Sequence, residues 1–117
     1  MNKEPLVSVI MNCYNGEKYL KEAIESVINQ TYTNWEIIFW DNASTDKSSE
    51  IVKSYDDVRI KYFCADENTP LGSARNKAIE KSNGELIAFL DVDDLWLPEK
   101  LKLQVPLFEK NYKVGLV

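Results

Sequence analysis

Apolar residues along this chain fall into two alternating rhythms. Leu6–Met11 (LVSVIM), Trp35–Trp40 (WEIIFW) and Leu86–Leu90 (LIAFL) are short, largely continuous apolar runs, as strands covered on both faces would be. Between them apolar positions recur at helical spacing: Leu20, Ile24, Val27 and Ile28 at i, i+4, i+7 and i+8 predict a helix from Glu17 onward. A shorter helix is expected through Ile51 and Val52, capped by the Ser, Thr and Asp of NASTDKSS. Val58–Phe63 (VRIKYF) alternates Val58, Ile60 and Tyr62 against Arg59 and Lys61, the pattern of a strand with one wet face at a sheet edge.

A third helix is expected from about Leu71, with Ala74, Ala78 and Ile79 inward, closed by Asn83 and Gly84 as residues that tolerate a left-handed conformation. Pro98 suits the first turn of a fourth helix carrying Leu101, Val105 and Phe108, which Pro106 should kink or shorten. The closing VGLV reads as the opening of a fifth strand.

Strand and helix in alternation imply a Rossmann-like open parallel sheet with helices on both faces. Placing the wet-faced third strand at the edge gives the order 3-2-1-4. The direction of winding reverses between strands 1 and 4, and open α/β sheets bind ligands beyond the carboxyl ends of the strands at that point. Those ends carry Asn12–Asn15 (NCYN) and Asp91–Asp94 (DVDD), with Asp41 one strand away. The same order sets Cys13 and Cys64 about 9–10 Å apart, too far for a disulfide.

With 117 residues, 44% of them hydrophobic and 28% charged, one ordinary globular domain is expected. A net charge of −5, with acids and bases interspersed, argues against non-specific nucleic-acid binding. It also requires a local cation for any phosphorylated ligand. The chain has no histidine, which removes histidine-dependent triads and the usual zinc sites. No apolar run reaches the roughly 20 residues of a membrane span and no signal sequence opens the chain. A cytoplasmic location is therefore expected, with peripheral attachment to the inner face of the membrane as a variant of it.

Five apolar residues run straight into Asp91, Asp93 and Asp94. Like charges so close repel, so a cation is expected there. Carboxylates alone would serve the N-terminus of the next helix. Their place after an apolar strand at the switch point favours one hard divalent ion, Mn²⁺ or Mg²⁺, with phosphate oxygens and water completing its coordination.

Two long stretches, VSVIMNCYNGEKYLKEAIESVINQTYTNWEIIFWDNASTDKS and GSARNKAIEKSNGELIAFLDVDDLWLPEKL, resemble the nucleotide-sugar-binding half of family 2 glycosyltransferases, of GT-A fold. The resemblance implies a truncated GT-A domain and metal-dependent, inverting transfer of a sugar from a nucleoside diphosphate to an acceptor hydroxyl. The acceptor would be a saccharide or a lipid-linked saccharide, and the setting polysaccharide biosynthesis. By position it puts Cys13, Tyr14 and Asn15 at the nucleotide, Tyr14 stacking on the base and Asp41 hydrogen-bonding its edge. A carboxylate only accepts, so Asp41 would select UDP, dTDP or GDP, and the family leans to UDP. Arg75 would lie near the nucleotide and Asp91 and Asp93 would hold the metal, Asp93 as the stronger ligand and Asp91 toward the ribose or sugar. Ser44 and Asp46 would fix the loop after strand 2. The general base is expected beyond residue 117. Departures from the family pattern are Asn12 and Cys13 for Pro and Thr, and Asn42 and Ala43 for an Asp-Gly pair.

Other users of such acids fit less well. A dehalogenase-type phosphatase carries its Asp-x-Asp after the first strand. A receiver domain needs an aspartate where Cys64 and Ala65 stand, and a nucleotidyltransferase needs more glycines than NCYNGEK has. A non-catalytic nucleotide-binding module on the same fold is the remaining alternative.

Overall fold

The computed structural model describes residues 4–109, with side chains to residue 107. Four strands and four helices alternate: β1 (Val7–Cys13), α1 (Glu17–Ile28), β2 (Trp35–Asp41), α2 (Ser48–Lys53), β3 (Ile60–Cys64), α3 (Leu71–Glu80), β4 (Leu86–Phe89) and α4 (Lys100–Glu109). All strand pairings are parallel, in the order β3-β2-β1-β4. The expected order is the observed one.

Side-chain alternation on the strands divides the core. Val7, Val9, Met11 and Cys13 of β1 and Trp35, Ile37 and Phe39 of β2 pack with Leu20, Ile24 and Val27 of α1, Val52 of α2, and Leu101 and Val105 of α4. Ile10 and Ile38 face the other way and meet Ala78 of α3. The small residues Ala74 and Ala78, both fully buried, let α3 lie close on that face. Burying a residue such as Phe39 contributes about 3 kcal/mol, so the major cluster dominates the fold.

Several details differ from the pattern. β3 starts at Ile60 because Asp57 organises a turn: its carboxylate accepts from the Arg59 N–H and its carbonyl from the Ile60 N–H, leaving Val58 exposed. The second face of β3 is partly covered, since Lys61 pairs with Glu36 and Phe63 stacks on Trp40. Ile79 is exposed. Neither Asn83 nor Gly84 is left-handed. Gly84 is needed for close approach instead: a Cβ there would lie 2.4 Å from Ser8 Oγ and 2.6 Å from Ser8 N.

Pro98 lies before α4, whose start is held by Gln30. This side chain accepts from the Leu101 N–H and donates to the carbonyls of Ser26 and Leu97. The helix runs through Pro106 to Glu109. The Phe108 side chain and the expected fifth strand lie outside the described residues. Both cysteines are free, Cys13 buried and Cys64 exposed. No helix among the described residues is long and apolar enough to cross a membrane.

Candidate functional site

The loops beyond the carboxyl ends of β1, β2 and β4 form one rim, and side chains bind the first two together. Asn15 takes a left-handed conformation at φ 52°, which Asn tolerates. Its Oδ1 accepts from the N–H groups of Thr45 and Asp46, while its own N–H donates to Ser44 Oγ. Asp46 spans the loops in the other direction, accepting from the N–H groups of Glu17 and Ser48. Burial raises the Asp46 pKa, but the Ser48 and Glu17 donors outweigh it and hold the carboxyl below its usual range. Ser44 and Asp46 thus fix the loop, as the sequence suggests.

Tyr14 stands at this junction as an exposed aromatic residue, 54% accessible. The loop after β4 closes as a turn through the Asp94 N–H and the Asp91 carbonyl, 3.0 Å apart. It carries Asp91, Asp93 and Asp94 at the surface. Gly16 locks this turn to the β1 loop: a Cβ on Gly16 would lie 2.7 Å from Val92 Cγ2. Tyr14 and the acidic turn therefore share one edge of the molecule. Arg75 reaches it from α3, its guanidinium 4.0 Å from Asp91 Oδ1 and 5.4 Å from the centre of the Phe89 ring. Both partners of the ion pair are well exposed, so the pair adds little stability.

Two of the residues expected at the nucleotide are buried beneath the rim. Asp41 is 1% exposed, and both its oxygens are engaged internally: Oδ1 accepts from the Ser44 N–H and Oδ2 from the Tyr62 hydroxyl. It supports the rim from below, with one donor on each carboxylate oxygen. Cys13 also points inward, into the major core cluster, where burial pushes its thiol pKa up. Its Sγ lies beneath the rim loops, 3.9 Å from Ser44 Oγ, and its carbonyl accepts from the Asn42 N–H.

Sequence reasoning assigns no role to Asn42, Tyr62 or the amide of Asn12. The Asn42 amide is paired with Thr69, donating to its carbonyl and accepting from its N–H and hydroxyl, which pins the loop before α3. The only sequence signal was that Asn12 and Asn42 depart from the family pattern.

Among the described residues no three acidic or cysteine side chains gather closely enough to enclose a metal ion. A hydrated hard cation needs less: two surface carboxylates on one turn and oxygen ligands from a diphosphate. Asp91 and Asp93 are two exposed carboxylates on one such turn.

Residues 8–117 match the family model described as glycosyl transferase family 2. The chain belongs to that family. Over 106 residues it is 41% identical to the Escherichia coli enzyme WfgD, a UDP-Glc:alpha-D-GlcNAc-diphosphoundecaprenol beta-1,3-glucosyltransferase, covering 91% of this chain and 42% of the relative. The crystal structure of S. aureus TarS 1-349 in complex with UDP superposes with TM-score 0.83 at 32% identity, over 89% of this chain and 32% of TarS. The mannosyltransferase PcManGT of Pyrobaculum calidifontis, in complex with GDP-Man and Mn2+, gives TM-score 0.78 at 26% identity, over 90% of this chain and 32% of PcManGT. This family 2 chain thus has the GT-A architecture over its described residues, and it spans about two-fifths of the length of WfgD and of two other curated relatives it matches.

Proposed function

We propose that this chain is the donor-binding part of an inverting, metal-dependent glycosyltransferase. It takes a sugar from a nucleoside diphosphate, UDP before dTDP or GDP, to an acceptor hydroxyl at the cytoplasmic side of the membrane. The observation that carries the reading is the packing of Gly16 on Val92, which puts an exposed aromatic ring and an exposed acidic turn on one rim at the switch point. The UDP-bound TarS structure and the UDP-Glc in the name of WfgD support UDP. The diphosphoundecaprenol in that name supports a lipid-linked saccharide as acceptor, in polysaccharide assembly.

In this reading Tyr14 stacks on the base, Asn15 and Asp46 keep its loop from moving, and Arg75 takes a phosphate oxygen. Asp41 acts from beneath, holding the Ser44 N–H and hence the loop that faces the base. Asp91 and Asp93 would hold Mn²⁺ or Mg²⁺, and a bound ion supplies positive charge against the diphosphate as it leaves. The Mn2+ in the PcManGT complex supports that pairing of acids with an ion. The chain's own contribution is orientation: a nucleotide fixed at base and phosphate holds the anomeric carbon in one place for attack from the opposite face.

Calorimetry of the chain with UDP, dTDP and GDP, each with and without Mn²⁺, tests this. Binding that needs the metal and prefers one nucleotide is the expected result. Equal, metal-independent affinity for all three would end the donor-site reading.

A further inference from the structure

Between the end of β4 and the start of α4, residues 90–99 belong to no strand or helix. Leu90 is still tied to β1, its N–H donating to the Ile10 carbonyl. Of residues 91–99 only Trp96 is buried, and its ring packs in the major core cluster. Its neighbours Leu95 and Leu97 are exposed. Grooves of about 1200 Å³ and about 320 Å³ flank this segment, and Leu95, Trp96 and Pro98 line both. Two hydrogen bonds hold its far end, past Trp96 from the acids: Gln30 Nε2 donates to the Leu97 carbonyl and the Thr31 N–H to the Pro98 carbonyl. The acidic turn therefore hangs between Leu90 and the Trp96 ring, with Val92 resting on Gly16 between them.

A core side chain that is cut back leaves a space, which its least supported neighbours move to fill. Beneath this turn the least supported neighbour is the segment itself, irregular and open on both flanks. A smaller residue at position 96 would draw Asp93 and Asp94 toward the core while Asp91, next to Leu90, stays with the sheet. Two carboxylates that share one hard cation must be held to about 0.5 Å. We propose that Trp96 is a positioning residue for the divalent ion: its ring sets Asp93 against Asp91 from below, touching neither ion nor nucleotide. The inference rests on the donor-site reading and deepens it, assigning to the core the spacing of the two acids.

The test measures UDP binding by calorimetry over a range of Mn²⁺ concentrations, for the unaltered chain, Trp96→Phe, Trp96→Leu and Trp35→Phe. Trp35 is buried in the same cluster but at the amino end of β2, away from the rim, so its replacement removes the same volume from the same core. Trp96→Phe should raise the half-saturating Mn²⁺ concentration about 10-fold, and Trp96→Leu further. Trp35→Phe should lower the melting temperature as Trp96→Phe does, yet leave the Mn²⁺ requirement where it is. Should Trp96→Leu not fold, Trp96→Phe, which keeps an aromatic ring in the core, decides. An unchanged Mn²⁺ requirement in the Trp96 variants, or an equal rise in Trp35→Phe, would overturn the inference and leave Trp96 as core packing alone. Failure of the unaltered chain to bind UDP at any Mn²⁺ concentration would instead strike the donor-site reading itself.

Discussion

The Tyr62 hydroxyl donates to Asp41 Oδ2 over 2.6 Å, joining the edge strand β3 to a carboxylate sealed beneath the candidate site. Asp41 passes the constraint on through Oδ1 to the Ser44 N–H, and Ser44 Oγ accepts from the Asn15 N–H beside Tyr14. Tyr62→Phe leaves the buried carboxylate one donor short, and should lower unfolding free energy by about 1–3 kcal/mol. Urea denaturation reads this as a lower midpoint with unchanged slope.

The same bond has an alkaline signature. Burial, and then the Asp41 carboxylate, push the Tyr62 pKa well above its usual 10. Burial and Glu25 push Tyr55 up to about 12. Groups raised in the folded state contribute stability that is full below their unfolded pKa and is lost as pH rises through the folded one. Stability should therefore begin to fall above pH about 10. Tyr62→Phe should flatten that decline, which thermal melts between pH 8 and 12 would show.

Glu36 governs the acid side. It is buried, with Oε2 accepting from Ser8 Oγ and the Asn83 N–H and Oε1 from Lys61 Nζ. Burial raises its pKa, but Lys61, Ser8 and Asn83 together hold it below the usual 4.5. Asp57, bonded to Arg59, is lowered too. Depressed carboxyls contribute stability present above the unfolded pKa and lost as pH falls through the folded one. Stability should drop below pH about 4.5. Glu36→Gln should cost about 1–3 kcal/mol at pH 7 and progressively less in acid, where the native carboxyl is protonated as well. A cost unchanged between pH 7 and pH 3 would contradict the assignment.

Sheet order and rim were legible because they rest on local, periodic information: continuous apolar runs for β1 and β2, a charged alternation for the edge, polar residues where strands end. Contacts across long sequence separations were not. Asp41 follows a strand as a ligand-reading residue would, and nothing local reveals that Tyr62, twenty-one positions on, claims its carboxylate. Asn83-Gly84 resembles a helix stop, yet the glycine answers to Ser8, seventy-six positions back. Likewise the start of α4 is held by Gln30, from the end of α1. Strand faces could be assigned from alternation; which polar group inside a face finds a partner depended on register between distant elements.

Two glycines separate stability from function. At Gly84 a methyl group would meet Ser8 N at 2.6 Å and the Leu6 carbonyl at 2.8 Å, main chain that cannot move without parting β1 from β4. Gly84→Ala should cost about 3 kcal/mol. At Gly16 the nearest atoms belong to side chains, Val92 Cγ2 at 2.7 Å and Cys13 Sγ at 3.1 Å, rather than to main chain. Gly16→Ala should cost less in stability, about 1 kcal/mol, yet weaken metal-dependent UDP binding by displacing the acidic turn. Melting temperature and calorimetry on the two variants together check the distinction.

Ala43 holds φ 63° without the freedom of glycine, a conformation costing about 1 kcal/mol for a residue with a Cβ. It sits between Asn42, paired with Thr69, and Ser44, bonded to Asp41, so both neighbours impose the geometry. Ala43→Gly should leave the loop in place and raise the unfolding free energy by about 0.5 kcal/mol after the greater freedom of the unfolded chain is counted, read as a higher urea midpoint.

The acidic turn makes the sharpest demand. Asp94 is occupied within the turn, Oδ1 accepting from its neighbour's Leu95 N–H, whereas no described hydrogen bond holds the Asp93 carboxylate. Asp93→Asn keeps size and removes charge. It should abolish the Mn²⁺-dependent binding of UDP while leaving the melting temperature near that of the unaltered chain. Asp94→Asn, whose amide oxygen can still accept from Leu95, should keep most of the Mn²⁺ effect. Should the two variants lose it equally, Asp93 would have no special claim on the ion, and the charge of the turn as a whole would be what draws the metal.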